Sequence, residues 1–206
     1  RGDRGIRQEE VLAYELGYRF YSLDWLTAEV SLFWSEYDDV AILVFKPSAG
    51  GFGFENAGQT SIRGGEIELS FLPVSWWRVT TSYSILDQYE RNPNSILPGT
   101  VPLEKRDPFQ QFVIRSLIDL PSNFELDAAV YFVDGLEGVT PTLRKDNVRA
   151  YARFDLRLGW KPTDWLDVSL GGQNLGGTRH AEFYDVQGNQ STQVPRSGYA
   201  KLTVHF

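Results

Sequence analysis

The chain has 206 residues, of which 20 are Lys or Arg and 27 Asp or Glu, for a net charge of −7. An apolar share of 42% is enough to bury a real surface, and an acidic balance argues against a nucleic-acid partner, which needs a basic footprint. There is no cysteine and only two histidines, which excludes disulfide scaffolds, thiolate metal sites and thiol catalysis. Aromatic residues are abundant, with 13 Phe, 10 Tyr and 6 Trp.

Period-2 alternation recurs along the chain. It runs through Tyr14-Leu16-Tyr18-Phe20, Ala28-Val30-Leu32-Trp34, Ile67-Leu69-Phe71 and Val79-Thr81-Tyr83-Ile85, and again through Phe124-Leu126-Ala128-Val130-Phe132, Ala152-Phe154-Leu156-Leu158-Trp160 and Leu166-Val168-Leu170. Residues two apart on a strand share a face, so each segment has one apolar and one polar side. Weaker alternation at Phe109–Leu120 and Gly198–Phe206 completes a prediction of nine strands, at about 10–20, 26–37, 57–72, 77–86, 109–120, 124–133, 148–160, 166–175 and 196–206. No segment carries a 3.6 period, and the longest apolar run, Val40 to Phe45, is far below the roughly 18 residues of a membrane helix. The predicted fold is all-β, an antiparallel up-and-down meander.

The connections alternate as well. Tyr21–Trp25, Pro73–Trp76, Pro121–Asn123 and Lys161–Trp165 are short, whereas 38–56, 87–108, 134–147 and 176–195 are long and rich in Gly, Pro, Asn and Asp. All short turns then fall at one end, the layout of a membrane β-barrel. Trp25, Trp76, Trp77, Trp160 and Trp165 lie at or beside short turns, as an aromatic girdle at a membrane boundary would, and Trp34 does not. Tryptophans filling a soluble β core are the competing reading, with no reason to prefer one kind of turn. The near-regular spacing of Trp25, Trp76, Phe124 and Trp165 also approaches a propeller period, but each interval holds two long strands rather than four short ones.

The polar faces carry Glu15, Arg19, Glu29, Glu66, Glu68, Arg78, Arg115, Glu125, Asp127, Arg153, Asp155, Arg157 and Asp167. Charges of both signs suit a wide, hydrated or plugged lumen, and equally the solvated face of a soluble sandwich. The last strand, Tyr199 to Phe206, places Leu202, Val204 and Phe206 on one face.

At this point the sequence resembles a known family. A final strand with Tyr199 and a terminal Phe206 is similar to the signal read by the barrel assembly machinery of Gram-negative bacteria. The wider pattern resembles the C-terminal barrel segment of TonB-dependent receptors. It includes Tyr14-Glu15-Leu16-Gly17, Leu32-Phe33 with Tyr37-Asp38-Asp39, Asn56-Ala57-Gly58 and Gly65-Glu66-Ile67-Glu68, then Asp155 to Pro162, Gln173-Asn174-Leu175, His180 to Phe183 and Pro195-Arg196. The resemblance implies an open part of a larger transmembrane barrel of about 22 strands, in the cell outer membrane. It implies upstream strands, a plug domain and a TonB box outside these residues, with TonB, the lipid bilayer and a scarce nutrient such as a ferric siderophore as partners. A passive porin or other outer-membrane barrel is the alternative, followed by a soluble β-rich binding module and an outer-membrane hydrolase.

Candidate ligand contacts on the long loops are Tyr37, Phe52, Phe54, Tyr89 and Arg91, with Lys105, Arg106, Arg144, Lys145, Phe183 and Tyr184. Aromatic and basic side chains there suit a planar or anionic chelate. His180, Glu182 and Asp185 are close enough in sequence to be weighed as metal ligands, but a single His favours a solvated loop end. No nucleophile elbow or phosphate loop is present, so neither a catalytic residue nor a cofactor is expected. Asn56-Ala57-Gly58 reads as a turn or a close backbone approach at a strand entry, and Lys161-Pro162-Thr163-Asp164 as a turn.

Overall fold

A computed structural model of the chain describes residues 5–46, 50–91, 107–136, 148–177, 179–182 and 193–206. Nine strands form one antiparallel sheet in chain order. They are β1 (Glu10–Leu23), β2 (Leu26–Lys46), β3 (Gly51–Val74), β4 (Trp77–Glu90), β5 (Gln110–Leu120), β6 (Phe124–Val133), β7 (Tyr151–Thr163), β8 (Leu166–Gln173) and β9 (Ser197–Val204). Every strand pairs with its neighbours in sequence, and β1 and β9 are not paired with each other, so the sheet is open.

The register carries the two faces across the sheet. On one side Arg19, Glu29, Glu68 and Ser82 stand in a row, as do Tyr131 and Arg153, or Asp127 and Arg157. On the other, Leu69, Thr81, Ile114, Val130 and Phe154 line up, as do Trp160, Val168 and Leu202. Among the described residues the buried apolar side chains are Leu136 and Val148, which meet in an isolated bridge. Leu16, Tyr18 and Leu202 are 68%, 67% and 66% exposed. Among the described residues nothing covers the apolar face. A sandwich would bury that face against a second sheet, which is absent among the described residues.

Three of the four short connections share one construction. Asp24-Trp25, Ser75-Trp76 and Asp164-Trp165 are two-residue turns, each preceded by a register shift two to three residues before its close. The strand therefore runs on to Thr163, and Lys161-Pro162-Thr163 belongs to β7 rather than to the turn. The fourth connection, Pro121–Asn123, reverses the chain with Ser122 and Asn123 at φ 61° and 62°, the left-handed pair that matches strand twist.

The segment 38–56, expected as a long loop, is instead a ribbon. β2 and β3 pair from Leu26 and Phe71 up to Lys46 and Gly51, interrupted by register shifts around Val40. β1 reaches only Asp38 and β4 only Thr60, so the upper ribbon stands beyond the sheet. Val40 to Phe45 is uniformly apolar and shows no alternation, which hid the strand in the sequence. Its two strands satisfy each other's backbone groups, and that pairing overrides the loop-like Gly content of Gly50 to Gly53. β4 likewise continues to Glu90, whereas β7 starts at Tyr151 and β8 ends at Gln173.

Candidate functional site

The charged face divides into two fields. On β6 to β8 the charges are paired. Arg157 donates to Asp127 at 2.6 Å and to Glu125 at 3.0 Å, and Lys161 reaches Glu125 at 2.5 Å. Arg153 grips Asp155 with two bonds, at 3.0 and 2.7 Å, and lies 4.5 Å over the Tyr131 ring. Arg115 approaches the same ring at 5.8 Å. His205 faces Asp167 at 3.0 Å, so it serves as an ion-pair or hydrogen-bond partner at the short-turn end. Tyr199 lies against Gly171, where a side chain would collide with its ring.

On β1 to β5 the balance is looser. Arg19 meets Glu29 at 3.1 Å, and Tyr21 donates to the same carboxylate. Glu15, Glu66, Glu68, Arg78 and Arg115 make no ion pair among the described residues. The face is indented by a depression of about 390 Å³ at Arg19, Glu29, Glu66 and Glu68, and by one of about 190 Å³ at Arg115, Asp127, Tyr131 and Tyr199. A third, of about 530 Å³, lies at the short-turn end between Asp119, Glu125, Lys161, Asp167 and His205.

Among the described residues, the predicted ligand contacts Tyr37, Phe52, Phe54 and Tyr89 fall on strands rather than loops. Phe52 and Phe54 share a face of the upper ribbon, exposed by 54% and 52%, and Phe52 packs on Phe45 with ring centroids 5.2 Å apart. Tyr37 pairs with Thr60 on the charged side of the sheet, whereas Tyr89 pairs with Ser61 on the opposite side. Arg91 follows β4, bonded through its N–H to Gln59 at 3.0 Å and facing Glu36 at 3.6 Å. Lys105, Arg106, Arg144, Lys145, Phe183, Tyr184 and Asp185 lie outside the described residues. His180 stacks on Tyr151 at 4.0 Å and sits 3.4 Å from Glu182, and no three His, Asp or Glu side chains among the described residues are grouped so as to hold a metal ion.

Trp25, Trp76, Trp77, Trp160 and Trp165 all stand at the short-turn end, with Trp25 edge-on to Phe71 and Trp160 stacked on Phe124. Trp34 is on the apolar side at the opposite end, 6.2 Å from Tyr14 and beside Arg63, which makes a two-bond pair with Asp87 at 2.9 and 2.7 Å. From Phe71 to Arg63 the apolar side of β3 thus has an aromatic edge below and a polar edge above, close to the ~9–11 residues of a tilted spanning strand.

Two asparagines matter that the sequence did not single out as site residues. Asn56 is no turn. It stands within β3 and bonds backbone groups of Arg7 and Asp39. Asn174, fully buried at φ 55°, donates its N–H to Asp155 at 3.0 Å and its amide to the Val194 carbonyl at 3.2 Å. Gly58, in the same motif as Asn56, does mark a close approach, since a Cβ there would lie 2.8 Å from Ile42 Cγ2.

Comparison with known proteins places the architecture. The family model described as "TonB dependent receptor-like, beta-barrel" matches residues 1–175. No curated protein matches by sequence. Among solved structures, the ferric-catecholate import receptor Fiu from K12 E. coli superposes with a TM-score of 0.80 at 17% identity, over 100% of this chain and 30% of that one. The pyoverdine outer-membrane receptor FpvA from Pseudomonas aeruginosa PAO1 gives 0.79 at 16%, over 98% and 30%. The iron transporter FrpB from Neisseria meningitidis gives 0.77 at 16%, over 98% and 31%. This chain therefore spans about a third of the length of the receptors it resembles.

Proposed function

The chain belongs to the TonB-dependent receptor β-barrel family, and on that premise we propose that it forms part of the wall of an outer-membrane receptor importing a scarce nutrient, a ferric siderophore or similar chelate. The observation that carries this reading is the pairing of two unlike faces on one open sheet. The apolar face has no cover among the described residues, and a bilayer supplies one. The opposite face is charged and indented, as the lumen of a wide barrel is.

In this arrangement the short turns face the periplasm, and Trp25, Trp76, Trp77, Trp160 and Trp165 form the inner aromatic girdle. Trp34 and Tyr14, with Arg63–Asp87 beside them, mark the outer boundary. The ribbon of β2 and β3 then stands outside the cell and presents Phe52 and Phe54 to the ligand, with Tyr37 and Arg91 near its base; Arg106 and Tyr184 are further contacts on the sequence reading alone. Glu15, Glu66, Glu68, Arg78 and Arg115 face the lumen, where a plug domain coupled to TonB would sit. Tyr199 on β9 and Phe206, two residues past it, are the residues we assign to recognition by the assembly machinery. The neighbours named above are a ferric-catecholate import receptor, a pyoverdine receptor and an iron transporter, which supports an iron chelate as cargo.

The test is uptake of radiolabelled iron, offered as catecholate, hydroxamate and mixed chelates, by iron-starved cells with and without the intact receptor and with and without TonB. Accumulation of one chelate that needs both is the expected result. Uptake indifferent to TonB would make the protein a passive pore and overturn the reading.

A further inference from the structure

Asn56 stands where the upper ribbon leaves the sheet. Its Oδ1 accepts the Arg7 N–H at 2.7 Å, while its Nδ2 donates to the Arg7 carbonyl at 3.1 Å and to the Asp39 carbonyl at 2.7 Å. By taking both backbone groups of Arg7, the amide imitates a neighbouring strand, since it offers one acceptor and two donors in a plane. Asp39 is the left-handed residue of the irregularity in β2, at φ 56°. Glu9 closes the same joint from the other side by accepting the Ala41 N–H at 2.8 Å.

The joint needs such a fastening. Above Asp38 and Thr60 the ribbon loses β1 and β4 as neighbours, and the register shifts around Val40 interrupt its own ladder. An isolated two-stranded ribbon is marginal in water and free to swing at a break of this kind. Arg7 and Asp39 also form an ion pair at 3.2 Å, but with side chains 68% and 38% exposed it contributes little. The three amide bonds reach backbone groups that every rotamer of Arg7 leaves in place.

We propose that Asn56 is a positioning residue that fastens the segment entering β1 to the base of the ribbon, so that the two move as one body and the Phe45–Phe52 tip is held at a fixed angle over the barrel mouth. This rests on the outward placement of the ribbon proposed above. A ligand that tilts the tip would then pull on the segment entering β1 through Asn56, which couples tip contact to the barrel wall.

The experiment is pulsed electron paramagnetic resonance on the intact receptor in lipid nanodiscs, spin-labelled at Gly51→Cys in the ribbon and Gln88→Cys in β4. The labels should stand about 35 Å apart along the strand direction. The expected wild-type result is one narrow distance distribution. Asn56→Ala should widen it about twofold by releasing the joint. Asn56→Asp should widen it similarly, because its second oxygen faces two carbonyls. Arg7→Ala should keep the wild-type width, since it leaves the backbone groups intact. Unchanged widths in both Asn56 variants, or widening by Arg7→Ala equal to that of Asn56→Ala, would overturn the proposal. Labelling of Gly51→Cys by an impermeant thiol reagent on intact cells tests the outward placement separately, and a protected cysteine there would fail that placement whatever the distance widths show.

Discussion

The carbonyl of Trp25 accepts the backbone N–H of Leu72 at 2.8 Å, joining the first turn to the strand of the next hairpin. The same bond recurs twice, from Asp119 to Trp76 at 2.8 Å and from His205 to Trp165 at 2.9 Å. Each turn Trp thus uses its backbone carbonyl to complete the sheet edge, and Trp25 also sets its indole edge-on to Phe71. The bonds place Trp25, Trp76 and Trp165 as fixed parts of the sheet rather than as dangling anchors.

Because those turns are read as periplasmic, accessibility is the first prediction. An impermeant thiol reagent on intact cells should label a cysteine at Gly51 and leave one at Ser122 unmodified until the outer membrane is permeabilised. The reverse pattern would invert the sheet in the membrane.

A second prediction separates the faces. Leu69→Arg or Leu156→Arg should destabilise the intact barrel by about 2–4 kcal/mol in a folding titration if these positions lie near the bilayer midplane. Glu68→Ala, which breaks no ion pair among the described residues, should change stability by less than about 0.5 kcal/mol. Equal costs on both faces would remove the membrane reading.

Alternation alone predicts that Asp155→Ala, like Glu68→Ala, costs much less than an arginine on the apolar face, but Asp155 makes contacts that alternation does not show. Its carboxylate holds Arg153 and also the N–H of the buried Asn174. Asp155→Ala should therefore cost about 1–3 kcal/mol, the penalty of leaving a buried donor unmet. A cost no larger than that of Glu68→Ala, measured in the same titration, would mean that water replaces the carboxylate there.

What the sequence made legible follows from period. Strands such as β7 announce themselves because Phe154, Leu156 and Leu158 alternate with Asp155, Arg157 and Gly159, and one residue suffices to fix the face of its neighbours. The upper ribbon did not, because Val40 to Phe45 contains no polar residue to set a phase. Asn56 was legible as a motif but not as a fastener, for its partner Arg7 lies 49 residues away in the chain. Nor did composition reveal that Tyr37 and Tyr89 fall on opposite sides of the sheet, since that depends on registers set strand by strand.

The last prediction concerns the ribbon tip. Phe45, Phe52 and Phe54 are exposed by 59%, 54% and 52%, on a ribbon with neither β1 nor β4 alongside it. Exposed phenyl rings on such an element do nothing for the stability of the wall below, whereas they offer broad apolar contact to a chelate with aromatic groups. Phe52→Ser combined with Phe54→Ser should leave barrel folding and surface level unchanged. Binding of the transported chelate, measured by its quenching of tryptophan fluorescence in the intact receptor, should weaken by about tenfold or more, as loss of aromatic anchors does at other interfaces. Phe45→Ser should have an intermediate effect, because Phe45 supports Phe52 from the paired strand. If both variants bind as tightly as the unaltered receptor, the ligand is held elsewhere and the ribbon is not part of its site.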